Sequence, residues 1–355
     1  MLHAWEWVTQ SSSIPSGWWY APSPSMPIPF EMLSLFLRLP ALAFDIATAF
    51  TIYFIVKNSS SARNAKLASL LWFLNPYTFF AVEMLGVPDV AATFMVMLAT
   101  LLILHKRNIL SAASLAAGVA LKLFPLLIMP AFLILQSVRS KGVRYQIPWL
   151  FAGVLGFVAY FTWALLGSGG PPVEYSPVDQ PLTAFFVFLP ATKVSISLAV
   201  MVVVYFCTYE FAKNQNLIIS DLALPILLVY LTFTDPSPQY YTWALPLLIL
   251  DIALVERRRL RLLTILTVVL FFNWFYFSSG FITPNRYSLL LIPLQGSGLP
   301  WYSVMINSFL QGSGPVSLLL NAALYGTTLI YALEIARGWS RFHSTQKRLV
   351  SKSAP

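Results

Sequence analysis

The chain is 355 residues long, 58% apolar and 10% charged, with a mean hydropathy of +0.72 and a net charge of +9. This balance predicts an all-α integral membrane protein, a polytopic helical bundle. The charge does not point to a nucleic-acid partner. Of the 22 Lys and Arg residues, 18 fall in short breaks between apolar runs or in the tail, where they set orientation in a membrane. With three histidines and a single cysteine, Cys207, inside an apolar run, no paired metal motif and no internal disulfide is available.

Residues 1–30 are rich in Pro, Ser and Trp and lack the basic start and apolar run of a signal peptide. They read as an extracytoplasmic segment, followed by a multi-spanning domain over 31–336 and a basic cytoplasmic tail over 337–355. The first span, Glu31 to Val56, ends at the basic loop Lys57 to Lys66, which places that loop inside and the N-terminus outside. Further spans are expected at 67–85, 89–105, 146–167, 190–212, 217–234, 239–255, 262–280 and 315–336. That makes nine spans beside one re-entrant hairpin. Asn58 to Ser60 matches a glycosylation acceptor but falls on the cytoplasmic side, so it should be unused.

The hairpin is the apolar run Ile109 to Gln136, 28 residues long, too long for one ordinary span and too short for two. Basic clusters at His105 to Arg107 and Arg139 to Lys141 flank it, so both of its ends belong on the same, cytoplasmic, side. A helical path from Asn108 lifts Lys122 roughly 21 Å, most of the way across the hydrocarbon. A charge at that depth marks a site or a fixed partner; the alternative is a lysine snorkelling to the outer headgroups.

Four basic residues stand apart from the cytoplasmic set: Arg38, Lys122, Lys193 and Arg286. They lie toward the outer half, as do Glu31, Glu83, Asp89, Glu174, Asp179 and Asp235. A cluster of both signs there suggests an outward pocket whose cations hold phosphate and whose carboxylates serve as base or bind sugar hydroxyls. The structural alternatives are specific. Asp89 follows Pro88 where a carboxylate caps a helix. Asn75 with Pro76 makes a kink, and Asp45 bonds helix to helix. Pro238 to Trp243, with Gln239 and Tyr240, is an aromatic belt at a span's outer end on the bland reading, or binds a sugar by stacking and hydrogen bonds. Glu210, Asp221, Asp251 and Glu334 fall within a turn or so of cytoplasmic ends, where snorkelling explains them.

Five stretches occur in a telling order: Arg38 through Asp45, Trp72 to Pro76, Gly86 to Asp89, Leu121 to Pro125, and Ser237 to Trp243 with Pro246. Together, over roughly residues 20 to 250, they resemble the C-type (GT-C) glycosyltransferases that use polyprenyl-phosphate sugars, especially the GPI mannosyltransferase-like branch. The resemblance implies transfer of a sugar, mannose by preference, from a polyprenyl-phosphate donor to a lipid or glycan acceptor on the non-cytoplasmic face. Lys122 and Arg286 would hold phosphate, Asp89 or Glu6 would be the base, and Arg38, Asn75, Gln239 and Tyr240 would contact substrate. Whether a divalent metal takes part is left open.

Members of that family begin with a membrane helix and an acidic outer loop. Here Glu6 is the only carboxylate before Glu31, so an upstream in-frame apolar run followed by an acidic residue is expected. Two other classes of function stay open: a transporter or flippase for a lipid-linked substrate, and a non-catalytic subunit partnered with a membrane glycosylation enzyme. The short loops favour the plasma membrane of a prokaryote, an archaeon among the candidates, over the endoplasmic reticulum.

Overall fold

The computed structural model describes residues 30–84, 89–139, 146–167, 196–212, 219–233, 240–255, 259–281, 319 and 322–335. Over those residues the chain is helical, and no strand occurs among them. In chain order the helices are α1 (Phe30–Ser59), α2 (Ala62–Phe73), α3 (Asp89–Leu104), α4 (Asn108–Leu121), α5 (Phe124–Arg139) and α6 (Ile147–Gly167). They continue with α7 (Ile196–Ala212), α8 (Ile219–Phe233), α9 (Tyr241–Leu254), α10 (Leu260–Phe281) and α11 (Ala322–Ile335). Each predicted apolar run therefore carries a helix. By length and composition, among the described residues, Leu39–Ser59 alone is long and apolar enough to cross a membrane.

The breaks between helices have local causes. Ser61 caps α2 by accepting the Asn64 amide at 3.2 Å. At the other end of α2 the chain meets Pro76, which lacks an N–H and cannot continue the ladder. Asn75 restarts the helix there: its Oδ1 accepts from the amides of Tyr77 at 2.9 Å and Thr78 at 3.4 Å. One turn, Pro76–Thr78, then widens into the π-helical segment Phe79–Met84. The expected span 67–85 is thus two helical pieces joined by a kink.

Between α3 and α4 the turn is tight. Lys106 takes a left-handed backbone with φ of 59°, Arg107 N bonds Leu102 O at 2.9 Å, and Lys106 N bonds Ile103 O at 3.1 Å. This is a Schellman ending with lysine where glycine is usual. It sends α4 back antiparallel along α3, with Ser111 Oγ on Ala99 O at 2.5 Å and Ser114 Oγ on Met95 O at 2.8 Å. Small residues let the two backbones approach, and hydroxyls add bonds across the seam.

The chain reverses again at Lys122, whose φ of −158° and ψ of 144° break the helix. The helices on either side of the break both flank α6. Gly156 lies against Ala116 and Val119 of α4, and Gly153 against Leu126 and Met129 of α5. Lower down, Trp149 stacks on Phe132 with centroids 5.1 Å apart, and Gln146 Nε2 donates to Ser137 Oγ at 2.6 Å. The hairpin rises as far as α3 does, because its apex meets the first residue of α3.

A Cβ built at Gly156 would stand 2.6 Å from Ala116 O and 2.8 Å from Val119 Cβ, whereas Gly326 has nothing within 4 Å. Gly156→Ala should therefore lower stability by about 1–3 kcal/mol as α4 and α6 are forced apart. Gly326→Ala should leave it unchanged or slightly raised. The thermal midpoints of the two purified variants check this, and equal midpoints would contradict the packing.

Candidate functional site

Three helix ends meet at one end of the bundle: the start of α3, the break between α4 and α5, and the start of α9. Asp89 opens α3 and is 3% exposed. Its carboxylate reaches outward from its own helix. Oδ1 accepts the indole N–H of Trp243 at 2.9 Å and lies 3.4 Å from Lys122 Nζ. Helix capping is therefore not the main account of this residue, although the positive end of α3 still favours its charge.

Lys122 occupies the non-helical position after Leu121, so its side chain leaves the hairpin at the apex. The side chain is 36% exposed, against 2% for Asp89. Its ammonium lies 5.8 Å from the centroid of the Tyr240 ring, within range of a cation–π contact. A buried carboxylate, an aromatic face and partial access thus satisfy this lysine, which is not a snorkelling charge.

Trp243 is fixed from both sides. Phe124 stacks on it at 4.3 Å with planes 7° apart, and Tyr240 at 4.4 Å with planes 24° apart. Two rings cannot share one face of an indole at those distances, so they cover opposite faces. Thr93 binds the helix starts together, its hydroxyl 3.0 Å from Asp89 O and 3.4 Å from Thr242 O. Tyr77, fully buried just after the Asn75 kink, feels the charge of Asp89 and meets the backbone of Thr242. Four segments distant in sequence thereby meet at this end of the bundle.

Of the residues picked from sequence, Asp89, Lys122 and Tyr240 come together. Asn75 does not join them: it is 7% exposed, caps the turn after the kink, and donates from Nδ2 to Thr267 Oγ1 at 3.1 Å. Its place is structural, which the kink reading anticipated. Asp45 likewise serves a helix-to-helix bond, accepting Trp72 Nε1 at 2.9 Å. Arg38 lies on α1, but its side chain is outside the described residues, as are Glu6, Gln239 and Arg286. Among the described residues no group of three or more His, Cys, Asp or Glu side chains gathers as for a metal ion.

Sequence reasoning missed the roles of Trp243 and Phe124. The available signal was that a buried tryptophan needs a partner for its N–H. It also misread Asp251 and Arg259, at the other end of the bundle. Arg259 Nη1 bonds Asp251 Oδ1 at 2.6 Å, the Tyr331 hydroxyl donates to Asp251 Oδ2 at 2.9 Å, and Arg259 Nη2 reaches Glu334 O at 3.2 Å. Both charged side chains are less than a tenth exposed. This is a buried clasp joining α9, α10 and α11, in place of a snorkelling acid and an orienting base. Comparison of the chain with protein-family models, with curated proteins and with solved structures yields no match.

The clasp makes a stability prediction. Arg259→Met strands a buried carboxylate and should cost about 3–5 kcal/mol, with much of that recovered by adding Asp251→Asn, which removes the stranded charge and still accepts from Tyr331. Chemical denaturation of the two variants checks it; a double variant as unstable as the single one would contradict the clasp.

Proposed function

We propose that this chain is a polytopic membrane glycosyltransferase. It moves a sugar, mannose by the resemblance, from a polyprenyl-phosphate donor to a lipid or glycan acceptor on the non-cytoplasmic face. One observation carries the reading: Asp89, Lys122 and Tyr240, taken from three of the stretches behind the resemblance, meet at a single point. The membrane setting is supported by the outward faces, where Phe50, Phe54, Phe151, Val154, Phe206 and Phe272 are all more than 45% exposed. A water-soluble monomer rarely shows so much apolar surface. The basic breaks at 57–66 and 105–107 are drawn to one end by the 2.9 Å contact of Asn58 with His105, away from the Asp89 end. Prokaryotic plasma membrane, with that end outside, is the matching location.

The chemistry follows from charge. The acceptor hydroxyl loses its proton to Asp89 as its oxygen attacks the anomeric carbon. The bond from that carbon to the phosphate oxygen breaks, and polyprenyl phosphate leaves with the electron pair. Lys122, partly exposed beside Asp89, neutralises the phosphate, so the leaving group needs no strong acid.

Transfer of labelled mannose from polyprenyl-phosphate mannose by the purified chain tests this. Asp89→Asn should lower turnover at least about 100-fold without weakening donor binding, and Lys122→Met should raise the donor KM about tenfold or more. Donor binding without transfer to any acceptor would replace the reading with a lipid-phosphate carrier or an accessory subunit. No binding at all would remove both.

A further inference from the structure

Asp89 and an incoming phosphate need the same ammonium. The Lys122 side chain, 36% exposed, has room to turn, while the Asp89 side chain, 2% exposed, stays where the start of α3 puts it. Their contact of 3.4 Å is longer than the about 2.7–2.9 Å of a close charge-assisted bond. Trp243 holds the same Oδ1 more closely, at 2.9 Å. When Lys122 turns to a ligand, a carboxylate with no other donor would be left buried and unpaired, and that penalty would be subtracted from the ligand's affinity. The donor that stays behind is the indole. It cannot swing away, because Phe124 and Tyr240 cover its two faces and the residue is only 4% exposed.

We infer that Trp243 is a positioning residue: by holding Oδ1 of Asp89, it frees Lys122 to exchange that carboxylate for the phosphate of a lipid-phosphate ligand. The inference rests on Lys122 as the phosphate holder proposed above, and not on sugar transfer. It also explains why the tryptophan in this aromatic cluster is closed to a sugar. Both of its stacking faces are already spent on keeping the N–H aimed at Asp89.

The test is equilibrium binding of sugar-free polyprenyl phosphate to the full chain, with thermal midpoints confirming that each variant is folded. Trp243→Phe keeps a ring between Phe124 and Tyr240 and loses only the donor. It should raise Kd about tenfold, because Asp89 then holds Lys122 more tightly. Asp89→Asn still accepts from Trp243 but no longer competes for Lys122, and should lower Kd about threefold or more. In the Asp89→Asn background, Trp243→Phe should change Kd by less than about twofold, since no charge remains to be held. Equal effects of Trp243→Phe in the two backgrounds would overturn the inference, for the indole would then act by packing alone. If Trp243→Phe fails to fold, Asp89→Asn decides the matter: an unchanged or raised Kd overturns it. A wild-type chain that binds polyprenyl phosphate without transferring sugar sinks the transferase reading and leaves this inference standing; one that binds none sinks both.

Discussion

A carboxylate buried at the start of a helix in an apolar bundle must be matched, and the matching of Asp89 organises this end of the molecule. It takes the indole N–H of one helix and the ammonium of a hairpin apex. Each partner then imposes a demand of its own. The indole must be held in plane, which Phe124 and Tyr240 do, and the ammonium must be raised to the level of Asp89, which the length of α4 does. Neither demand would exist without the charge, because an apolar residue at position 89 would pack without any preferred partner.

The remainder of the fold brings those partners within reach. A left-handed Lys106 closes α3 so that α4 returns along it, and Ser111, Ser114 and Gly118 keep the two backbones close. On the far side, α6 fits between the arms of the hairpin through Gly153 and Gly156. The kink at Asn75 and Pro76 bends the second apolar run so that the buried Tyr77 meets the backbone of Thr242. At the opposite end Asp251, Arg259 and Tyr331 form a second matched charge that ties α9 to the helices after it. Two buried carboxylates, one at each end of α9, thus fix the helix that carries Trp243.

Much of this was legible in the sequence, because apolar runs and basic breaks are local properties. The helices, the break at Lys122 and the kink at Asn75 follow from composition and from proline's missing donor. Lys122 could be singled out because a charge in the middle of an apolar run is costly wherever it ends up. What could not be read was pairing. Asp251 looked like an ordinary helix-end acid because Tyr331, its partner, is 80 residues away. Trp243 looked like a belt aromatic because a belt and a buried indole have the same sequence signature. Asp89 reads from sequence as a helix cap, and only the direction of its carboxylate, toward Lys122 and Trp243, shows that it serves partners on other elements.

The central claim is that Asp89 and Lys122 act as a coupled pair. A double-mutant cycle on folding stability with Asp89→Asn, Lys122→Met and both together tests it most directly. The pairing predicts a coupling energy of about 1–2 kcal/mol, with Lys122→Met the costlier single change because it leaves the buried charge while removing its cation. Additive costs for the two substitutions would contradict the account, since the carboxylate and the ammonium would then be independent residents of the same end of the bundle.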